Sequence, residues 1–146
     1  MAFTIVVGYD GSPGAQAALD EAIDLAGRLS ANVVVANAYG GPRTYSGAPL
    51  TPRSKLKEQG DALLREAVAH CEGSAVELEP VLVNESAAAG LLKVAVERRA
   101  GLIVVGTHGE SQISGMLLGS TAYRLVHLTT RPVVVVPAPK RARKVA

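Results

Sequence analysis

The sequence predicts an α/β fold in one domain, an open parallel sheet with helices on both faces. Strand-like and helix-like patterns alternate singly along the 146 residues, a length that fits one domain. Nearly half of the chain is apolar (48%), yet four Tyr, one Phe and no Trp are its whole aromatic content. The core must therefore be built from Val, Leu, Ile and Ala, a composition that suits parallel strands buried on both faces.

Each element follows in order. Phe3–Val7 is a β-rich run closing on Gly8. Ser12 followed by Pro13 starts a helix, because Ser caps and Pro suits the first helical position. Leu19, Ala22, Ile23, Ala26 and Leu29 then form one apolar stripe. Val33–Ala36 is the second strand and opens into the Gly/Pro-rich stretch 39–52, which breaks regular structure. A helix from Arg53 to Glu72 buries Leu56, Leu63, Leu64, Ala67, Val68 and Cys71, with Gly60 near the same face for close packing. Val76–Val83 is a third strand, and Pro80 assigns it to a sheet edge. Ser86 caps a helix carrying Leu91, Leu92, Ala95 and Val96. Leu102–Val105 is the fourth strand, ending on Gly106. A last helix, from Ser120 to Thr129, buries Ala122, Leu125 and Val126, and prolines bracket the fifth strand, Val133–Val136.

Bulk properties exclude several roles. No apolar run approaches the ~20 residues that span a bilayer, and the N-terminus reaches Gly8 and Asp10 too soon for a signal peptide. Cys71 is the single cysteine and has no partner for an internal disulfide, so a reducing, cytoplasmic location is expected. The net charge of +2 comes from Lys140, Arg141, Arg143 and Lys144, without which the body carries −2. Residues 1–138 are thus expected to form the domain and 139–146 a basic flexible tail, with nucleic acid an unfavoured partner.

In an open α/β sheet, ligands sit beyond the carboxyl ends of the strands, where strand order reverses. Two strand ends are rich in glycine, Gly8-Tyr9-Asp10-Gly11-Ser12 and Gly106-Thr107-His108-Gly109. If those strands are neighbours, both loops line one crevice and the reversal lies between strands one and four. After Gly109 come nine residues, and then Gly119-Ser120-Thr121 opens the last helix. Glycines let backbone approach an anion closely, and the amides and dipole of a helix start favour negative charge. The same glycines would equally serve to turn the chain and cap a helix.

Gly106-x-x-Gly109-x9-Gly119-Ser120 resembles the G-x-x-G-x9-G-[ST] signature of the ATP-binding branch of the universal stress proteins. Val7-Gly8-Tyr9-Asp10-Gly11-Ser12 and Arg131-Pro132-Val133-Val134-Val135-Val136-Pro137 resemble that family's opening turn and closing strand. The resemblance covers nearly the whole chain. It implies a Rossmann-like sheet of order 3-2-1-4-5 and roles by position. Asp10 would lie near ribose, phosphates or a bound Mg²⁺. Ala38 would meet adenine through its main chain, and Gly8 and Tyr9 would form the pocket floor. Gly106, Thr107, Gly109, Gly119, Ser120 and Thr121 would hold ribose and phosphates. His108, inside the loop, either touches phosphate or points to solvent. Three departures stand out: Asn84-Glu85-Ser86 for Gly-x-Pro, Gly101 for an Asp, and Asn37 for a His.

No catalytic set emerges. There is no G-x-S-x-G, no partner base for Ser120, and no Walker lysine. Mg²⁺ held by Asp10 leaves room for weak hydrolysis of ATP. His70 and His127 fall on helix surfaces. The leading expectation is a stress or signalling module that binds an adenine nucleotide, ATP first. The alternatives are a cyclic-nucleotide binder and an interaction module of the same fold with an empty pocket. An enzyme of adenylyl transfer would need a further motif that is absent. Val133–Val136, aliphatic and at the implied sheet edge, is expected to pair across a two-fold axis in a homodimer.

Overall fold

The computed structural model describes residues 2–41, 50–108 and 118–139. Gly109, Gly115 and the basic residues of the tail lie outside them. The elements run β1 (Thr4–Gly8), α1 (Pro13–Leu29), β2 (Asn32–Ala38), α2 (Arg53–His70), β3 (Leu78–Val83), α3 (Ala87–Glu97), β4 (Leu102–Gly106), α4 (Ser120–Leu128) and β5 (Val133–Val136). The five strands form one parallel sheet in the order β3-β2-β1-β4-β5. The expected reversal between the first and fourth strands is therefore present, and Pro80 stands exposed on an edge strand.

Side-chain alternation divides the aliphatic strands between two cores. Ile5, Val7, Val33, Val35 and Val104 pack with α1 and α2 on one face. Val6, Val34, Ile103 and Val105 pack with α3 and α4 on the other. Because both faces are covered, the strands read as unbroken aliphatic runs.

Local chemistry sets the helix ends. The Ser12 hydroxyl accepts the Ala15 N–H at 3.2 Å and Pro13 occupies the first turn of α1. The helix ends at Ser30, whose φ of 52° turns the chain left-handed. Ser86 holds the cap position of α3, but its hydroxyl makes no cap bond there.

One burial assignment is corrected: Val126 is 44% exposed, and Leu29 and Val96, at the ends of their apolar stripes, are 50% and 60% exposed. Val96 and Val126 each follow a buried residue, Ala95 and Leu125, and a step of one residue rotates a side chain off a narrow packed face. Leu29 is the last residue of α1, where the chain turns away at Ser30. Cys71 is buried, as expected for a small core residue, and burial pushes its thiol pKa up. His70 sits on the surface facing Asp20 at 2.7 Å, and exposed His127 meets the Tyr123 carbonyl at 2.8 Å. Among the described residues, no helix is long and apolar enough to cross a membrane.

The register places a notch in the sheet. Gly8 is level with Ala36, whereas β2 and β3 continue together to Ala38 and Val83. On the other side Val7 pairs with Val104, and β4 runs on to Gly106. The central strand thus stops short of both neighbours, at the point where strand order reverses.

Candidate functional site

The notch opens into a two-chambered crevice. An inner chamber of about 90 Å³ is lined by Gly8, Tyr9 and Asp10 from the end of β1, with Ala38, Gly106, His108 and Thr121. An outer chamber of about 340 Å³ shares Asp10, Asn37, Ala38 and Ala87 with it and is walled by α2 through Leu56, Gln59, Gly60 and Leu63. Seven residues singled out in the sequence thus converge on one space.

Each side of the notch is locked by backbone-level contacts. Asp10 closes a turn by accepting the Ser12 N–H at 3.0 Å, so one carboxylate oxygen is already engaged. The Tyr9 N–H donates to the Ala36 carbonyl at 2.9 Å, and its hydroxyl donates to Glu66 of α2 at 3.0 Å. Tyr9 is 4% exposed, and burial, then the Glu66 hydrogen bond, push its pKa to about 12. The ring is therefore a neutral part of the floor.

Gly106 sits against the first turn of α1. A Cβ placed there would fall 2.6 Å from the Gly14 carbonyl carbon, and one on Gly14 would fall 2.5 Å from the His108 carbonyl oxygen. These two glycines let α1 lie directly on the end of β4. Gly8 has a similar constraint, since a Cβ would meet Leu91 of α3 at 2.9 Å.

Thr107, Gly119 and Ser120 are not among the described residues that line either chamber. The Thr107 N–H donates to Val136 at 2.9 Å and its carbonyl accepts the Gly119 N–H at 2.6 Å, which ties β5 and the start of α4 to the end of β4. Ser120 is exposed, while Thr121, one step round α4, faces the crevice. Gly119 holds the cap position of α4 and has no side chain to cap it, unlike Ser12 at the start of α1. Gly109, the remaining motif glycine, lies outside the described residues.

Residues on the helical walls gave no sequence signal of their own. Leu91 of α3, with Leu56 and Leu63 of α2, read as helix-stripe positions, and only the fold turns them, together with Ala87, toward the crevice. Asn37 was visible only as a departure. It is 7% exposed, and its Nδ2 donates to the Tyr9 carbonyl at 2.9 Å. The other departures are also packed. The Gly40 N–H donates to the Glu85 carbonyl at 2.9 Å, and the Phe3 ring lies against Gly101 where a Cβ would stand.

No Lys or Arg is among the described residues lining either chamber, and Asp10 and Glu85 contribute carboxylates. The described wall is therefore acidic in balance, with apolar surface from Ala38, Leu56, Leu63 and Leu91. An arrangement of that kind suits a ligand held mainly by apolar contact and oriented by a few hydrogen bonds.

Comparison with known proteins fits this geometry. The model of the universal stress protein family matches residues 1–137. The chain is 29% identical over 143 residues to the universal stress protein YxiE of Bacillus subtilis, covering 90% of this chain and 97% of that protein. It is 31% identical over 133 residues to a universal stress protein of Mycolicibacterium smegmatis, covering 90% of this chain but 45% of that one. The chain therefore spans less than half of that longer relative. Among solved structures, a universal stress protein in complex with cAMP aligns at 31% identity with a TM-score of 0.71, covering 94% of this chain and 98% of the other.

Proposed function

This chain belongs to the universal stress protein family, and we propose that it binds an adenine nucleotide in the notch above β1 and holds it more than it consumes it. The observation that carries this is the convergence of the Gly8–Asp10 turn, Ala38, Gly106 and Thr121 of the first turn of α4 on one crevice at the strand reversal. The cAMP complex of a relative 31% identical to this chain supports the class of ligand.

On this reading the base lies in the outer chamber against Ala38, Leu56 and Leu63, and the phosphate faces Gly106, His108 and Thr121. ATP is the expected ligand, with a cyclic nucleotide as its rival, and charge separates the two. A triphosphate meets Asp10 and no described cation, whereas a cyclic monophosphate brings a single charge. Asp10 has one oxygen left to share a Mg²⁺ with the phosphates, a mode in which that ion commonly binds. ATP binding should therefore depend on Mg²⁺, and cAMP binding should not. Turnover is slow at most on this reading, since among the described lining residues near the phosphate side only Asp10, tied into a turn, and His108 could serve proton transfer.

Calorimetric titration with ATP and cAMP, each with and without Mg²⁺, tests this. A saturable signal with at least one ligand, abolished by Gly109→Leu, is the expected result. Absence of heat and of any copurified nucleotide would overturn it. That outcome favours an interaction module with an empty crevice, a reading to which Gly106 lends support because packing on Gly14 already demands a glycine there.

We further read β5 as the homodimer edge and the setting as cytoplasmic and reducing, which the buried single thiol of Cys71 tolerates.

A further inference from the structure

The backbone of β2 has a fixed alternation. The amides of Val33 and Tyr39 donate to Glu77 and Val83 on the β3 side, and that of Asn32 donates to Phe3 on the β1 side. Odd-numbered amides thus face β3 and even-numbered ones face β1. The Ala38 N–H accordingly points toward β1, one rung beyond the last paired residues, Gly8 and Ala36.

A regular parallel ladder would carry on from here. Tyr9 N–H donates to the Ala36 carbonyl, and the next bond in sequence would run from Ala38 N–H to the Tyr9 carbonyl. Instead the Tyr9 carbonyl accepts Nδ2 of Asn37 at 2.9 Å. The acceptor is a carbonyl, so the amide nitrogen must be the atom that faces it. The Oδ1 atom is turned to α2, lying where a Cβ on Gly60 would stand. Asn37 is thereby clamped between two elements, and among the described residues no backbone partner takes the Ala38 N–H.

We propose that Asn37 is the positioning residue of the crevice: it ends the β1–β2 ladder with its own side-chain amide and so keeps the Ala38 N–H for the edge of a ligand's base. The inference rests on the reading that a nucleotide occupies the notch. An N–H beside the Ala38 carbonyl, which faces the same way, forms a donor–acceptor pair. Adenine offers the matching pattern, an amine donor beside a ring-nitrogen acceptor. Hypoxanthine reverses it, with a carbonyl beside a ring N–H, and leaves both backbone groups mismatched. Selectivity for adenine would therefore depend on a residue outside the donor–acceptor pair that reads the base.

The decisive measurement is amide hydrogen exchange by NMR on ligand-free protein, wild type against Asn37→Ala and Asn37→Leu. In the wild type Ala38 should exchange at least about tenfold faster than Ala36, which lies within the ladder. In the variants the vacated Tyr9 carbonyl should capture the Ala38 N–H and slow its exchange by about the same factor, even as global stability falls. A merely structural role for Asn37 predicts faster exchange throughout. Wild-type Ala38 as protected as Ala36, or exchange unchanged or faster in both variants, would overturn the proposal. The second arm titrates cyclic AMP and cyclic IMP. The wild type should prefer the adenine ligand by about fivefold or more, the worth of one net hydrogen bond, and the variants should lose that preference. Equal preference in variants and wild type would refute the link to base recognition. A wild type that binds neither would defeat the reading of the crevice, while the exchange arm still decides what Asn37 does.

Discussion

Replacing Gly106 by Ala separates the demands of packing from those of a ligand. Its φ is not among the left-handed glycine angles described, so a side chain at this position meets no backbone strain of its own. The obstacle is space. The new methyl carbon would fall 2.6 Å from the Gly14 carbonyl carbon, 2.7 Å from its oxygen and 3.0 Å from its Cα. Carbon atoms rest at about 3.5–4.0 Å, so the first turn of α1 would have to retreat by the better part of an ångström. No rotamer change can relieve a contact between two backbones. Overpacking costs typically ~1–3 kcal/mol, and this rigid case belongs in the upper half of that range. For a domain of this size that lowers the melting temperature by roughly 4–12 °C. Urea denaturation of the nucleotide-free protein measures it, with two comparators. Gly101→Ala meets the Phe3 ring, which is 41% exposed and free to swing outward, so it should cost under about 1 kcal/mol. Gly27→Ala, exposed in α1 with nothing within 4 Å of the new carbon, should stabilise by about 0.5–1 kcal/mol through helix propensity. A Gly106→Ala protein as stable as wild type, impaired only in nucleotide affinity, would refute the packing account and return Gly106 wholly to the ligand.

The backbone of β5 supplies a test of the dimer: Ile103 and Thr107 donate to the carbonyls of Pro132 and Val136, so the groups of Val135 point away from β4. Val135→Pro removes an outward donor without touching the inner ladder and should yield a monomer by light scattering; an unchanged dimer places the interface elsewhere. Tyr9 is neutral when folded, with a pKa raised from 10.0 to about 12, so its share of stability is intact below pH 10 and is lost as pH rises toward 12. Tyr9→Phe should flatten that alkaline loss while costing about 0.5–1.5 kcal/mol at neutral pH for the bond to Glu66; an unaltered alkaline slope would show that another group carries it. Cys71, buried and with its thiol pushed up, should react with a thiol reagent far more slowly in the native protein than after denaturation, and equal rates would contradict its burial.

Much of the fold was legible because its signals are local. The run Val133–Val136 between prolines, the Ser12-Pro13 helix start and Pro80 on an edge each follow from a few adjacent residues. Gly60 is buried on the packed face of α2 for the reason its position suggested. The exposure of Val96 and Val126 was not legible, because periodicity marks an apolar arc without saying how narrow the packed part is. The site was legible in outline only. Its loops declare themselves through glycine, but which residue of a loop faces inward depends on partners far along the chain. Thr107 is drawn to Val136 and Gly119, and Gly106 answers to Gly14. Asn37 looked like a missing histidine, and its work became visible only with the Tyr9 carbonyl beside it.

These long-range contacts share one consequence for function. The end of β1 is held by the Asp10–Ser12 turn, the end of β2 by Asn37 and by Gly40 on Glu85, and the end of β4 by Gly14, Val136 and Gly119. The described rim is therefore organised before a ligand arrives, and binding there need not order it. That suits retention. Chemistry on a phosphate asks for more, namely groups placed where charge develops in the transition state. Here Asp10 spends one oxygen on its own turn, Tyr9 is kept neutral, and no Lys or Arg is among the described lining residues. On the proposed reading, a crevice so fixed, and with no described cation, would hold a nucleotide by its base and ribose, and its binding energy would go into the ground state, which gives occupancy without acceleration.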